Sequence, residues 1–192
     1  MKALKIHRAA GYLRMPWKNG GGSTEEVTRN DSHGLDTFGW RVSIADIAAS
    51  GEFSSFAGYQ RVISVLQGYG MSLDVEGKRS RELLAFDAFA FDGGSQVTCN
   101  LLAGSIRNFN LIYSPRLYRA RLQWFEGILP ANVLTSAATV LVFSACDDLQ
   151  VRIPGYPAQT LGIYDSLQLD EHQGLLKLVL TGRCCLIELT PT

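Results

Sequence analysis

Most of this chain consists of short runs in which hydrophobic and polar residues alternate, separated by turns that contain glycine. The run 38–45 shows the pattern most clearly: Trp40 and its even-numbered neighbours are apolar, whereas Arg41 and Ser43 fall on the opposite face of the strand. Similar runs predict further strands at 24–29, 71–76, 96–102, 105–113, 117–125, 139–144, 149–153, 161–169 and 175–189. Helix signals are weak, and only the segment 130–138 favours a single helical turn. Turn signals about every eight to twelve residues are typical of a sandwich or barrel, so the predicted fold class is all-β.

The second half of the chain repeats the hydrophobic pattern of the first half at an offset of 78 residues, without a gap. The matching residues include Val62 with Val140, Gly77 with Gly155, Leu83 with Leu161, Asp87 with Asp165, Gly104 with Gly182 and Leu111 with Leu189. Coincident turn glycines and apolar alternation indicate a duplicated β-unit. The candidate residues for chemistry do not coincide, since Arg61 aligns with Thr139 and Asn108 aligns with Leu186. We therefore expect one half to keep a polar pocket and the other half to support it.

Composition and charge narrow the possible function classes. Of the 192 residues 46% are hydrophobic and 19% charged, which suits one large folded domain or two small ones. Eighteen basic residues balance eighteen acidic ones, so no overall field favours nucleic acid or an acidic membrane surface. The N-terminus lacks the apolar core of a secretory signal, and no run approaches the roughly 20 apolar residues that span a bilayer. The four cysteines lack disulfide or zinc spacing. We expect a cytoplasmic protein with buried, reduced thiols and with no nucleic-acid or membrane partner.

The segment 16–26 is the first candidate for chemistry, because three successive glycines lie beside Lys18, Asn19, Thr24 and Glu26. Glycines allow the backbone to approach a ligand closely, and their exposed N–H groups can hold an anion. The segment is not a phosphate-binding P-loop, since the residue order differs and a strand, rather than a helix, follows it. Two interpretations stay open: a flexible surface loop, or a loop that faces a ligand.

Two arginines and two asparagines are the second candidate. Arg41 shares a strand face with Ser43, and Arg61 begins another strand. Inside a barrel an arginine needs a carboxylate partner or a bound anion, and its planar fork fits a ligand carboxylate. Asn108 and Asn110 share a face in the same way. Alternation does not decide whether these side chains line a cavity or point outward and pair with acidic residues of the chain.

Histidines are too few for the usual metal chemistry. His7, His33 and His172 are the only three, and their spacing rules out a centre built from His-x-His ligands. There is also no G-x-S-x-G motif for a serine nucleophile. We expect no metal and no cofactor.

Several blocks of sequence carry a resemblance to a known family. These blocks are WKNGGGSTEE at 17–26, WRVSIA at 40–45, GEFSSFAG at 51–58 and Arg61. In their order and spacing the chain resembles the HutD/Ves family. The resemblance implies a compact bicupin of two double-stranded β-helix (cupin) barrels. The predicted ranges are 1–115 for a barrel with the polar pocket and 116–192 for a degenerate barrel packed against it.

The resemblance also implies a function. The family is tied to bacterial histidine utilisation, where a member is thought to restrain pathway expression by sensing an intermediate. Metal-dependent cupins use two histidines and a glutamate near the Arg61 region, and those histidines are missing from this chain. The usual metal-dependent cupin chemistry is therefore not carried over.

We therefore predict a regulatory, metal-free protein that binds a small carboxylate metabolite such as formylglutamate or urocanate. In this hypothesis Arg41 and Arg61 hold a carboxylate and Lys18 holds a second anionic group. The remaining ligand-binding residues are Asn19, Thr24, Glu26, Ser43 and Asn110. One alternative is a metal-independent lyase, isomerase or hydrolase, with Glu26 as base and Lys18 as acid. Another is an interaction protein whose pocket is vestigial, and the sequence leaves the oligomeric state open.

Overall fold

The computed structural model describes residues 4–17, 20–31 and 38–192, and the predicted ligand residues Lys18 and Asn19 lie outside these ranges. Within them, nineteen strands and one 3-10 turn (Ala9–Gly11) form the regular structure. The first ten strands are β1 Leu4–His7, β2 Arg14–Pro16, β3 Gly22–Asp31, β4 Phe38–Ile47, β5 Gly51–Glu52, β6 Gln60–Gln67, β7 Met71–Val75, β8 Lys78–Arg79, β9 Ala88–Asp92 and β10 Val97–Leu101. The other nine are β11 Ile106–Tyr113, β12 Tyr118–Phe125, β13 Ala131–Thr135, β14 Thr139–Ser144, β15 Leu149–Arg152, β16 Gln159–Leu161, β17 Ser166–Leu169, β18 Leu176–Thr181 and β19 Cys184–Pro191. No helix in the described part of the chain is long and apolar enough to cross a membrane.

The chain divides into two units, which we call the N-terminal barrel (Tyr12–Tyr118) and the C-terminal barrel (Met1–Gly11 with Arg119–Thr192). The N-terminal barrel has a six-stranded sheet of order β2-β3-β4-β11-β6-β9 and a four-stranded sheet of order β5-β10-β7-β8. The C-terminal barrel has a five-stranded sheet of order β1-β17-β14-β19-β12 and a four-stranded sheet of order β13-β18-β15-β16. All strand pairs within these sheets are antiparallel.

The predicted duplication is confirmed strand by strand. Adding 78 to the residue numbers of β6, β7, β9, β10 and β11 brings them onto β14, β15, β17, β18 and β19. The pairings β6–β9, β6–β11 and β7–β10 recur as β14–β17, β14–β19 and β15–β18. Backbone conformation repeats as well, because Phe86 (φ 66°) and Tyr164 (φ 65°) both occupy the left-handed region, which non-glycine residues rarely adopt. The fold is therefore the expected pair of cupin barrels.

The turn that follows each of these residues is also duplicated. Asp87 Oδ2 accepts a hydrogen bond from the backbone N–H three residues earlier at 3.0 Å, and Asp165 Oδ2 does the same at 3.0 Å. Each carboxylate also pairs with an arginine at 2.6 Å, Arg81 for Asp87 and Arg8 for Asp165. Burial raises the pKa of Asp165, but hydrogen bonds from the Ala9 and Gly162 N–H groups and from Arg8 lower it below the ordinary value. The aspartates that matched in the self-alignment therefore fix the same turn in both barrels.

Three details of the predicted elements are wrong. The segment 161–169 is two strands rather than one, because Tyr164 adopts its left-handed conformation between β16 and β17. The segment 175–189 is also divided, at Gly182, whose φ of 123° suits only glycine. The segment 130–138 forms strand β13 instead of a helical turn, since its backbone pairs with β18.

The N-terminal strand differs from the predicted division of the chain. The sequence placed residues 1–115 in the first barrel, whereas β1 pairs with β17 and so extends the five-stranded sheet of the C-terminal barrel. Arg8 and Ala9, just after β1, are held by Asp165 of the same unit. Apart from this segment, the observed boundary at 118/119 lies close to the predicted one at 115/116.

The two barrels have different interiors. The C-terminal barrel encloses an aliphatic cluster, with Val140, Leu149, Leu161, Leu167, Leu178 and Leu186 among its members, all at most 1% exposed. The N-terminal barrel has a comparable cluster that joins its two sheets through Ile47, Ile63, Val65, Met71 and Leu73. That cluster fills only part of the interior, and polar residues occupy the rest.

All four cysteines are free, and three of them (Cys99, Cys184 and Cys185) are buried, as the sequence predicted. Burial raises the pKa of Cys99 to about 12. Burial, together with Cys146, raises the pKa of Cys184 to about 12. These thiols pack as small hydrophobic side chains.

Candidate functional site

A cavity of about 470 Å³ opens in the N-terminal barrel. Its wall is formed by Pro16, Trp17, Thr24, Arg41, Ser43, Ala45, Glu52, Phe53, Ser54, Phe56, Arg61, Asn108 and Asn110. Most of the polar residues come from β3, β4, β6 and β11, which are adjacent in the six-stranded sheet. Five of the eight predicted ligand-binding residues are in this list: Thr24, Arg41, Ser43, Arg61 and Asn110.

Strand register explains why these residues meet. On the inner face of the sheet Asn110 lies opposite Ser43 on β4, and Ile112 lies between Arg41 and Arg61 on its two neighbouring strands. Because side chains alternate along a strand, Arg41, Ser43, Arg61 and Asn110 all project to the same face. The question that alternation left open is thus answered: the Arg41 face of β4 lines the cavity.

Arg61 is held deep in the wall, with a residue exposure of 7%. Its Nε and Nη2 both donate to Asn110 Oδ1 at 3.3 Å, and its Nη1 donates to the Ser54 carbonyl at 3.1 Å. The guanidinium carbon lies 5.0 to 5.4 Å from the ring centres of Phe53, Phe56 and Phe91. Burial, and then the nearby Arg41, lower the pKa of Arg61 to about 10, so the side chain still carries its charge at neutral pH.

Arg41 lies on β4, across Ile112 of β11 from Arg61. Its guanidinium carbon lies 4.9 Å from the centre of the Phe38 ring and 5.2 Å from that of Phe56, so Phe56 contacts both arginines. The Nε of Arg41 is buried and has no hydrogen-bond partner in the described part of the chain. Burial lowers the pKa of Arg41, and Glu26 partly offsets this effect. No carboxylate among the described residues forms an ion pair with Arg41 or Arg61.

Glu26 lies beside the cavity rather than in its wall. It is opposite Ser43 in the β3–β4 pairing, and its Oε1 is 3.4 Å from Nε of Arg29. This placement brings a negative charge near Arg41, and the predicted contact between Glu26 and a ligand stays a prediction. The roles predicted for Lys18 and Asn19 concern residues outside the described ranges and stay predictions.

Trp17, which lines the cavity, is held by residues of the glycine-rich segment that follow it. The Trp17 N–H donates to the Gly22 carbonyl at 2.8 Å, and the Trp17 indole N–H donates to Thr24 Oγ1 at 2.8 Å. A side chain at position 22 would collide with the Asp46 carbonyl and would lie 3.1 Å from the Trp17 ring. Gly22 is therefore required so that Trp17 can pack against β3 and form part of the wall.

The aromatic residues around the arginines were missing from the predicted site. Phe53 and Phe56 belong to the block 51–58, and Phe91 lies opposite Arg61 in the β6–β9 pairing. A sequence pattern does not reveal such ring contacts, because they join a loop to strands distant in the chain. Among the described residues, no group of three or more His, Cys, Asp or Glu side chains is arranged to hold a metal ion.

Fold and site together define a bicupin with a cationic cavity in its N-terminal barrel. The chain belongs to the HutD family, whose model matches residues 9–187. An uncharacterized 21.2 kDa protein from the hutC 3′ region of Pseudomonas putida is 59% identical over 189 residues, covering 98% of each chain. This relative associates the family with the histidine-utilisation locus.

Two solved structures from Pseudomonas resemble this chain closely. HutD from Pseudomonas fluorescens SBW25, described for a formate condition, has a TM-score of 0.90 at 57% identity and covers 99% of this chain and 100% of its own. A conserved protein of unknown function from Pseudomonas aeruginosa PAO1 has a TM-score of 0.93 at 50% identity and covers 98% and 99%.

Proposed function

We propose that this protein binds a small carboxylate metabolite in the cavity and that it regulates histidine utilisation in the cytoplasm by sensing a pathway intermediate. Formylglutamate and urocanate are two candidate intermediates that would suit these residues, and the proposed binding uses neither a metal nor another cofactor. The observation that carries this proposal is that Arg61, which is buried, and Arg41, which is half-buried, share one cavity, and that neither forms an ion pair with a carboxylate of the described residues.

Electrostatics favours an anion at this position. Desolvation of a charged group costs several kcal/mol unless a counter-charge or good hydrogen bonds compensate for it. Burial lowers the pKa of both arginines, and the positive charge of Arg41 lowers the pKa of Arg61 further. A bound carboxylate would compensate both groups at once, whereas a neutral ligand would compensate neither.

The hydrogen-bond donors suit a carboxylate as well. A guanidinium has five N–H groups. Asn110 and Ser54 accept from three nitrogens of Arg61, so each of its two terminal nitrogens keeps a second N–H. Arg41 Nε has no partner in the described structure, which leaves its planar fork for a ligand. Charge-assisted hydrogen bonds contribute about 1.5–3 kcal/mol each, so two or three of them contribute about 3–9 kcal/mol before the cost of association. Micromolar affinity corresponds to about 8 kcal/mol, so contacts between the ligand skeleton and the phenylalanine rings must supply the remainder.

The size and lining of the cavity agree with a small metabolite. Its volume of about 470 Å³ lies in the lower part of the range of about 300–1,000 Å³ for small-molecule sites. The phenylalanine rings supply an apolar wall, and Thr24 and Ser43 add hydroxyl groups beside the arginines. This combination supports a ligand with one anionic end and a short carbon skeleton.

Isothermal titration calorimetry tests the binding step with N-formyl-L-glutamate and urocanate as probes. We expect micromolar binding of at least one probe to the unaltered protein. Arg41→Met should weaken it about 10- to 150-fold, because one charge-assisted contact is lost. Arg152→Met is the matched control, since Arg152 is exposed on β15 of the other barrel. Unchanged affinity in Arg41→Met would exclude the proposed role of the arginine pair.

A reporter assay tests the regulatory step. A reporter gene under a histidine-utilisation promoter should respond to the presence of the unaltered protein, and Arg41→Met should abolish that response at equal protein level. If Arg41→Met regulates the promoter as well as the unaltered protein does, ligand sensing through this cavity is wrong.

A further inference from the structure

Asn108 is a buried amide in the cavity wall without a partner. Its residue exposure is 3%, and its Oδ1 is buried with no hydrogen-bond partner in the described structure. Asn110, two residues further along β11, is hydrogen-bonded by contrast, because its Oδ1 accepts hydrogen bonds from two nitrogens of Arg61. Leaving a buried amide unpaired is unfavourable, so such groups are rare in folded proteins unless a ligand or water pairs with them.

The neighbours of Asn108 give no structural reason for an amide at this position. It lies opposite Ala45 on β4 and Val65 on β6, neither of which can accept or donate through its side chain. The duplicated barrel provides an internal comparison, since the equivalent position on β19 is Leu186. Leu186 is 1% exposed and belongs to the aliphatic cluster of the C-terminal barrel. The fold therefore accepts an aliphatic side chain here, and the polar one coincides with the barrel that has a cavity.

The position of Asn108 relative to the arginines limits what it can contact. Asn108 and Asn110 lie on the same face of β11, so their Cα atoms are about 7 Å apart along the strand. Asn110 marks the level at which the Arg61 guanidinium lies. A ligand whose carboxylate binds the arginines would therefore present its next few atoms toward Asn108.

We propose that Asn108 is a specificity-determining residue that accepts a hydrogen bond from an N–H or O–H group of the ligand, a few bonds away from the arginine-bound carboxylate. This inference rests on the proposed function and refines it. It predicts that the site prefers carboxylates that also carry a neutral N–H or O–H donor over carboxylates without such a donor. The ligand class is then a short carboxylic acid with an amide, heterocyclic N–H or hydroxyl group. Arg41 and Arg61 provide affinity for the carboxylate, and Asn108 provides discrimination between carboxylates.

Two pairs of isosteric probes test this assignment by calorimetry or by ligand-observed NMR. The first pair is N-acetylglycine and 4-oxopentanoate, and the second is N-acetyl-β-alanine and 5-oxohexanoate. Within each pair only an N–H group is replaced by CH₂, while the carboxylate and the carbonyl stay in place. We expect the amide to bind at least about fivefold more tightly than the ketone in one pair, which is within the usual effect of one buried hydrogen bond.

Asn108→Leu should remove this preference while the ketone still binds, because leucine is the residue at the equivalent position of the other barrel. Asn108→Ala, which is smaller and has no polar group, is a second variant in case leucine disturbs folding, and melting temperatures check both. Arg41→Met should weaken both members of a pair by the same factor. Equal affinities for amide and ketone in both pairs of the unaltered protein would overturn the inference but leave carboxylate binding in place. If no probe binds at all, carboxylate binding is wrong, and this inference fails with it.

Discussion

Replacing Arg61 by methionine should abolish ligand binding with little loss of stability. Replacing a large buried side chain usually lowers the free energy of unfolding by several kcal/mol, and we expect Arg61 to differ. Burial and Arg41 lower the pKa of Arg61 from its ordinary value to about 10. At about 1.4 kcal/mol per pKa unit, this difference means that folding disfavours the charged form by about 3 kcal/mol.

The sign of this contribution follows from the direction of the pKa change. The folded-state pKa lies below that of the unfolded chain, so the penalty is present in full below about pH 10 and is relieved as the pH rises above that value. At neutral pH methionine removes the whole penalty. It also removes the ring contacts, worth about 1–2 kcal/mol, and leaves Asn110 Oδ1 without its donors, at about 1–3 kcal/mol. These effects largely cancel, so we expect the free energy of unfolding to change by between a gain of about 1 kcal/mol and a loss of about 2 kcal/mol.

Urea denaturation at pH 7 measures this change, with Ile63→Ala as the matched control. Ile63 lies two residues from Arg61 on the same inner face of β6 and is fully buried. Its truncation should cost about 2–5 kcal/mol, as is usual for a core isoleucine. If Arg61→Met destabilises the protein as much as Ile63→Ala does, Arg61 is a structural residue and the argument from uncompensated charge is wrong.

Three further outcomes are expected. Gly22→Ala should lower the free energy of unfolding by about 1–3 kcal/mol and weaken ligand binding, since its methyl group would collide with the Asp46 carbonyl. Melting curves measure the first effect and calorimetry the second, and an unchanged variant would contradict the close approach of position 22 to the Asp46 carbonyl. In the native protein only Cys146 should react quickly with an aromatic disulfide reagent, because the other three thiols are buried; more than one fast thiol before unfolding would contradict their burial. Asp165→Asn should lower the free energy of unfolding by about 1–3 kcal/mol at pH 7, and this difference should shrink as the pH falls through the lowered pKa of the carboxyl. Urea titrations of both proteins at pH 7 and pH 3 measure the difference, and a constant value would exclude the charged carboxylate as the stabilising form.

The duplicated β-architecture could be predicted from the sequence because strand periodicity and turn glycines are local signals. The offset of 78 residues that aligned Gly77 with Gly155 and Gly104 with Gly182 also aligns their positive φ angles. The membership of β1 could not be predicted in this way. A four-residue strand at the edge of a sheet carries almost no pattern of its own, and its partner β17 lies more than 150 residues further along the chain.

The candidate site was predictable by residue type but not by geometry. Arg41 and Ser43 stood out because an arginine on an alternating strand needs an explanation. Alternation did not tell which face was internal, since Trp40, Val42 and Ile44 on the other face are each only 1% exposed. The aromatic contacts and the unpaired amide of Asn108 depend on tertiary register, which a single sequence does not encode in any local pattern.

The place of β1 has a consequence for synthesis of the protein. The ribosome makes Leu4–His7 before the N-terminal barrel, yet the strand they pair with, Ser166–Leu169, appears only after that entire barrel has been made. During translation the N-terminal barrel can therefore complete its own sheets while β1 is still unpaired, because β17 has not yet been made. A fragment that begins at residue 12 should still yield this barrel, whereas one that begins at residue 116 would emerge with an uncovered sheet edge beside β17 and a tendency to associate through it.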